Sequence, residues 1–289
     1  MKFGLIGHPI AHSLSPALFK AGYDSRYQYD LIETDDFEEA YSRFLKDYDG
    51  INVTAPFKQP AFHKADILSE ECQRIGATNL LIKTPEGIKA YNSDYLGVRQ
   101  WLSEVIMKMM SPTSSLIASP HTATVMIVGL GGAGKAAAEA AKSLGYRTIL
   151  MNRTRFSEEV RPLEEFCEWF RTADIIIYNI PTAIPQLEDL TDDDFRGLPG
   201  DKSAHNKGEE AVKGTECFTT YSPKVVLEAN YKDPSFSNAL INRMIEANPQ
   251  ASYVRGETWL LYQALTGYEL FTMEKPDLEN MSDIVFKSH

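Results

Sequence analysis

Val128-Gly129-Leu130-Gly131-Gly132-Ala133-Gly134-Lys135 carries the pattern G-x-G-x-x-G at Gly129, Gly131 and Gly134. Residues 124–128 before it are a short apolar run, which predicts a buried strand. Residues 135–144 after it are rich in alanine and predict a helix. A glycine turn between a strand and a helix is the context that dinucleotide binding needs. The first glycine permits the tight turn, the second lets backbone approach a pyrophosphate, and the third lets helix and strand pack closely. The pyrophosphate would rest on free N–H groups at the helix N-terminus. A glycine turn with no ligand is the plain structural alternative. The same residues also begin a phosphate-binding NTPase loop, G-x-x-x-x-G-K. That loop continues with Ser or Thr to hold magnesium, and here Ala136 offers no oxygen.

The next strand is predicted over residues 148–151 and runs into Asn152-Arg153-Thr154-Arg155. An NAD site usually places Asp or Glu at this point, to hold the ribose hydroxyls. Two guanidinium groups would instead attract a 2′-phosphate, with Arg153 able to grip it by a bidentate fork. NADP is therefore favoured over NAD, against the plain alternative of a solvated basic turn. Residues 174–180 and 225–229 read as later strands of the same sheet. Residues 187–220 are hydrophilic and are expected to form a long surface loop around at most one short helix. The acidic runs Asp192-Asp193-Asp194 and Glu209-Glu210 within it read as solvated charge.

Upstream of the glycine turn the chain alternates strand-like and helix-like text. Strands are expected over 3–6, 27–32, 50–54, 78–83 and 88–91, the last two joined by the turn Pro85-Glu86-Gly87. Helices are expected over 35–47 and 95–110. Ser111-Pro112-Thr113-Ser114-Ser115 is a polar break that marks a domain boundary. From residue 234 the text turns helical again. The fold class is α/β: an α/β unit over residues 1–110, then a Rossmann-type, doubly wound dinucleotide-binding domain (120–239), then helical text over 240–289.

Composition narrows the function. The 289 residues carry 29 Lys and Arg against 40 Asp and Glu, a net charge of −11. An acidic chain gains nothing from meeting nucleic acid or an anionic membrane surface. Cys72, Cys167 and Cys217 are far apart and form neither a disulfide framework nor a metal cluster. His8 and His12 lack a third ligand, so no metal is assigned. The N-terminal apolar run is too short for a signal peptide and no apolar run is long enough to span a bilayer, so a cytoplasmic location is expected.

Three N-terminal segments place polar residues at predicted strand ends. In Gly7-His8-Pro9-Ile10-Ala11-His12-Ser13-Leu14-Ser15-Pro16 the two serines precede a helix and either cap it or hold a carboxylate. Asn52-Val53-Thr54-Ala55-Pro56-Phe57-Lys58 brings Asn, Thr and Lys to the C-terminal edge of a buried strand, where open α/β sheets bind ligands. Gly76-Ala77-Thr78-Asn79 is followed by Tyr91-Asn92-Ser93-Asp94. Asp94 either caps the helix expected from Tyr95 or forms an acid/base pair with Lys58. Trp259, Leu260 and Leu261 read as core.

These segments, with Gly256-Glu257-Thr258-Trp259-Leu260-Leu261-Tyr262-Gln263, occur in the order of one known family, and the chain resembles the shikimate dehydrogenases along nearly its whole length. The resemblance implies that residues 1–110 are an N-terminal α/β substrate domain, completed by C-terminal helices (240–289) that return to it. It implies NADP-dependent, reversible reduction of 3-dehydroshikimate to shikimate in aromatic amino-acid (chorismate) biosynthesis. It implies that Lys58 and Asp94 are the catalytic pair, that Ser13 and Ser15 bind the carboxylate, and that Thr54, Asn79 and Gln263 hold ring hydroxyls. Gly129, Gly131, Gly132, Ala133, Gly134, Asn152, Arg153 and Thr154 would hold NADP. The partner it implies is this small molecule; it also admits a homodimer. The chain departs from the family text at Asn179-Ile180-Pro181-Thr182-Ala183 and at Glu228-Ala229-Asn230-Tyr231-Lys232-Asp233-Pro234, both on the nicotinamide side in the family. The alternatives are a related dehydrogenase using quinate or NAD, and a non-catalytic shikimate-binding relative.

Overall fold

Residues 1–109, 123–197 and 223–287 are described by this computed structural model. Six strands of the N-terminal half form one sheet: β1 (Lys2–Gly7), β2 (Gln28–Glu33), β3 (Gly50–Val53), β4 (Ile67–Leu68), β5 (Leu80–Thr84) and β6 (Gly87–Tyr91), in the order β2-β1-β3-β5-β6-β4. β1 is parallel to β2 and to β3, because helices Ser15–Gly22 and Phe37–Asp47 carry the chain back between them. Only Pro85 and Glu86 separate β5 from β6, and so short a connection forces an antiparallel pair. β5 is also antiparallel to β3.

That reversal positions the site. Asn52 on β3 pairs with Leu80 at the start of β5, and Leu80 pairs with Tyr91 at the end of β6. The loop before β5 and the segment after β6 therefore meet at the edge where β1 and β3 end. Helix Phe37–Asp47, capped by the Asp36 carboxylate, buries Ala40, Tyr41 and Phe44 against Ile6, Ile51 and Val53. An aromatic cluster of Phe3, Phe19, Tyr23, Tyr268 and Phe271 forms a second core, to which helices Gly256–Thr272 and Leu278–Phe286 contribute.

The remaining strands are β7 (Thr124–Val128), β8 (Arg147–Met151), β9 (Val160–Arg161), β10 (Ile175–Tyr178), β11 (Lys224–Glu228) and β12 (Ala251–Val254). They form an all-parallel sheet in the order β12-β11-β10-β7-β8-β9. From β7 the chain moves outward through β8 and β9, then returns to β10 on the other flank of β7. This is a doubly wound sheet, with its topological switch point between β7 and β10. Its strands read as near-continuous apolar runs because both faces are covered.

Two units divide the chain: Met1–Glu104, Lys135–Ser143 and Glu257–His289 in one, Val105–Gly134 and Leu144–Gly256 in the other. The expected return at residue 240 is thus corrected. Helix Asn238–Ala247 and β12 stay with the second unit, because β12 extends the second sheet beside β11.

The expected loop over 187–220 is also corrected where it is described. It holds helix Gln186–Asp189 in part and helix Asp192–Arg196 whole. Asp194 is not solvated charge: it is buried, completes a capping box with Thr191 and pairs with Arg171 at 2.7 Å. Cys217, Glu209-Glu210 and the break at 111–115 lie outside the described residues. No described helix is long and apolar enough to cross a membrane.

Candidate active site

The edge of the first sheet gathers most of the polar residues singled out in the sequence. Lys58 starts the short helix Lys58–Lys64 just beyond β3, and its Nζ donates to Asp94 Oδ2 at 2.8 Å. The Asp94 side chain is 10% exposed and that of Lys58 30%. The other carboxylate oxygen, Oδ1, accepts the indole N–H of Trp259 at 3.1 Å. Burial alone would raise the Asp94 carboxyl. The Lys58 ammonium and hydrogen bonds from Lys58, Trp259 and Asn79 outweigh it and hold the group below its ordinary range. Asp94 is thus an ionised carboxylate with both oxygens engaged.

The helix carrying Asp94 begins at Ser93, not at Tyr95. Its cap is Asn92, whose Oδ1 accepts the Tyr95 N–H at 3.1 Å. Asp94 therefore does not cap the helix. Asn79 Oδ1 accepts the Ser93 N–H at 2.7 Å, and the Ser93 hydroxyl lies 3.2 Å from both Asn79 Oδ1 and Gln263 Oε1. Gln263 reaches this point because Gly97 lets two helices touch. A Cβ on Gly97 would lie 2.7 Å from the Gln263 Cα. Lys58, Asp94, Asn79 and Gln263 thus form one connected network.

Ser13 and Ser15 form a second. Their hydroxyls are 3.1 Å apart, and the Ser15 N–H donates to Ser13 Oγ at 3.2 Å. The helix beyond them has Leu14 at its cap position with no side-chain capping bond, so neither serine is spent there as an N-cap side chain. Tyr268 donates to the Ser15 carbonyl at 3.1 Å, and Tyr29 donates to Asn52 Oδ1 at 2.8 Å. Desolvation, the larger influence in each, pushes both phenols up, so they stay neutral donors. Thr54 follows β3 directly, and its methyl occupies the space that a side chain at Gly7 would need. No hydrogen bond joins the Thr54 side chain to either network among the described residues. The edge as a whole offers two hydroxyls, amides and one ammonium, a set suited to a small polyhydroxylated acid.

The turn after β7 is described by itself. Gly129 has φ +86° and its N–H donates to the Met151 carbonyl at 2.8 Å. A Cβ on Gly134 would overlap the Gly129 carbonyl oxygen, so the third glycine is required for helix–strand packing. Gly131 and Gly132 are different. A Cβ on either would meet nothing, so the protein's own packing does not demand glycine there. Both are exposed at the start of helix Gly132–Ser143, where a ligand backbone could approach. Asn152 Oδ1 accepts the Leu130 N–H at 3.0 Å and its amide donates to the Thr154 carbonyl at 3.0 Å, tying the turn to the end of β8. Arg153 is exposed and makes no ion pair among the described residues. Ala133 is half-buried on the helix and Thr154 exposed. These residues fit a dinucleotide bearing an added phosphate.

Two features were not legible beforehand. Trp259 is buried as expected, yet it touches Asp94. Glu228, fully buried at the end of β11, accepts the N–H groups of Ser235 at 2.5 Å and Phe236 at 3.2 Å and the Tyr253 hydroxyl at 2.6 Å. It thereby organises the 229–236 loop, where the sequence departs from the family text.

Two family models match the chain. The family model described as the shikimate dehydrogenase substrate binding domain matches residues 5–81. The NAD binding domain of D-isomer specific 2-hydroxyacid dehydrogenases matches residues 88–195. The chain is 34% identical over 160 residues to a shikimate dehydrogenase (NADP(+)) of Thermotoga maritima, covering 53% of this chain and 56% of that one. It is 30% identical over 298 residues to a pentafunctional AROM polypeptide of Kluyveromyces lactis, covering 98% of this chain and 18% of the polypeptide. The alignments thus span under a fifth to little over half of these relatives. Among solved structures, shikimate 5-dehydrogenase of Thermus thermophilus in complex with shikimate shares the fold at TM-score 0.69 and 23% identity, covering 100% and 98% of the two chains. A quinate dehydrogenase of Corynebacterium glutamicum in complex with NAD shares it at TM-score 0.72 and 19% identity, covering 99% of each chain.

Proposed function

The chain belongs to the shikimate dehydrogenase family, and from that premise we propose that it is an NADP-dependent shikimate dehydrogenase. It reversibly reduces 3-dehydroshikimate to shikimate, an oxidoreductase step at a CH–OH group in aromatic amino-acid biosynthesis, carried out in the cytoplasm. The observation that carries this reading is the 2.8 Å pair of Lys58 and Asp94 at the C-terminal edge of the first sheet. The proposed division of labour gives the substrate to residues 1–110 with 257–289, and the dinucleotide to 120–256.

Ser13 and Ser15, whose hydroxyls are paired with each other, hold the substrate carboxylate. Thr54, Asn79 and Gln263 position the ring hydroxyls. Gly131, Gly132 and Ala133 receive the pyrophosphate, with Gly129 and Gly134 setting the turn. Asn152 and Thr154 shape its rim, and Arg153 grips the 2′-phosphate. Bound NADPH supplies the hydride. Lys58 then has one defined task. As negative charge develops on the former ketone oxygen, an Nζ proton stabilises it and is transferred to it. One Nζ–H stays hydrogen-bonded to Asp94 Oδ2 and keeps the side chain aimed, while the partly exposed Nζ recovers its lost proton from water. Asp94 remains ionised throughout, because its other donors do not leave.

The test is nicotinamide absorbance with purified protein, crossing NADP and NAD with shikimate and quinate. Rapid reduction with NADP and shikimate alone is the expected result. Turnover with quinate or NAD would make it the neighbouring dehydrogenase. Folded protein that binds shikimate yet turns over no combination would make it a binding relative. Light scattering on the same sample distinguishes a homodimer from a monomer.

A further inference from the structure

We infer that Trp259 is a positioning residue for the Lys58–Asp94 pair: its indole N–H holds Oδ1 of Asp94 so that Oδ2 stays turned toward Lys58. The inference rests on the reading of Lys58 as proton donor. It begins from geometry. A carboxylate held by one donor can rotate about its Cβ–Cγ bond and swap oxygens. Here the two oxygens have different owners, Lys58 at 2.8 Å and Trp259 at 3.1 Å. Rotation would break both bonds at once in a place where water is scarce, since Asp94 is 7% and Trp259 8% exposed.

An indole N–H donates more strongly to an ionised carboxylate than to the carbonyl oxygen of a protonated carboxyl. Trp259 therefore favours the ionised carboxylate over the protonated one. Asn79 acts in the same direction, and Lys58 is the charged group acting on the carboxylate. The placement has a structural origin as well. Trp259 lies one turn before Gln263 on helix Gly256–Thr272, and Gly97 lets that helix lie against the helix that carries Asp94. The backbone contact that delivers Gln263 thus also delivers the indole.

A purely packing role for Trp259 would be met by any aromatic ring of similar size. Trp259→Phe separates the two roles, since it keeps a ring and loses the N–H. The Asp94 carboxyl is followed by its ¹³C resonance between pH 2 and 7, assigned with Asp94→Asn, in wild type and variant. The expected result is about a tenfold rise in the proton affinity of Asp94, as for loss of one hydrogen bond to a charged group. The acid limb of the kcat/KM profile should move up by the same factor, with the KM for shikimate within about twofold, the signature of a lost aiming contact and not of lost ground-state binding. Superimposable Asp94 titrations in the two proteins would overturn the inference. So would a moved titration with an unmoved acid limb. If wild type turns over no substrate, the enzymatic reading fails, and the Asp94 titration still decides whether Trp259 holds the carboxylate. If the variant does not fold, the wild-type Trp259 indole N–H resonance, assigned with Trp101→Phe and Trp169→Phe, carries the test. It should titrate with the Asp94 midpoint and become flat in Asp94→Asn, whereas a flat wild-type resonance would overturn the inference.

Discussion

Asn92 Oδ1 accepts the Tyr95 N–H at 3.1 Å, and the same side chain donates from Nδ2 to the Ala77 carbonyl at 3.2 Å. One buried amide thereby caps the helix Ser93–Met109 and fastens it to the loop before β5. Asp94, two residues on, is left free to face Lys58. Asn92→Ala should cost about 2–4 kcal/mol, the sum of a lost cap and a buried carbonyl left without its donor. Urea unfolding measures this directly. A loss below about 0.5 kcal/mol, the usual range for inconsequential substitutions, would show that the cap is replaceable.

Lys58→Ala removes the proton donor and leaves Asp94 buried without its counter-ion. Turnover should fall by about 10²–10⁴-fold, the usual worth of general acid–base catalysis. Shikimate binding, read by quenching of tryptophan fluorescence, should change much less, because the carboxylate and hydroxyl contacts remain. Equal losses in kcat and affinity would assign Lys58 to binding instead.

The parts of this molecule that the sequence discloses are those where backbone geometry restricts residue choice locally. Gly129 at φ +86° and Gly134 against a carbonyl oxygen could hardly be other residues, so the turn and its flanking β7 are legible from eight letters. The two-residue connection between β5 and β6 is equally local. Lys58 and Asp94 are legible as types, but their pairing spans 36 residues and depends on the reversal of β5. Family resemblance, and not periodicity, brought them together. Trp259 and Asp94 are 165 residues apart, and an indole on a buried helix carries no sign of its partner. β12 is four residues, Ala-Ser-Tyr-Val, too short for its alternation to stand out. Asp194 did carry a signal: Thr191 three residues earlier makes a capping box, which the surrounding run of aspartates obscures.

Arg153 stands at the end of β8, exposed and without an ion-pair partner among the described residues. A structural arginine would be paired, so its guanidinium is available for an external anion. Arg153→Ala should weaken NADPH binding by about 10–100-fold, the equivalent of one or two charge-assisted hydrogen bonds. NADH lacks the 2′-phosphate, so its affinity should change less than about threefold. Calorimetry with both nucleotides separates the outcomes. Parallel losses would mean that Arg153 shapes the turn instead of reading the phosphate.

Lys224 is fully buried at the start of β11, and its Nζ donates at 2.7 Å to the carbonyls of Phe170 and Ala173. Burial lowers its pKa from 10.5 to about 8, against the opposing pull of Asp174 and Asp194. The sign of the consequence follows from proton counting. Between about pH 8 and 10.5 the unfolded chain holds a proton on this lysine that the folded chain has released. Stability from this group therefore rises with pH across that window, and the deficit is greatest below it. Lys224→Met abolishes the titration and preserves most of the side-chain volume. Between pH 7 and 9 the wild type should gain about 1 kcal/mol relative to the variant, read from urea midpoints at each pH. Buried tyrosines such as Tyr146 and Tyr178, pushed up to about 12 by desolvation, add an opposite slope once unfolded phenols ionise, but both proteins carry them and the difference cancels it. Parallel pH profiles in the two proteins would mean that the two carbonyls hold Lys224 charged in the folded state, and that hydrogen bonding outweighs desolvation at this site.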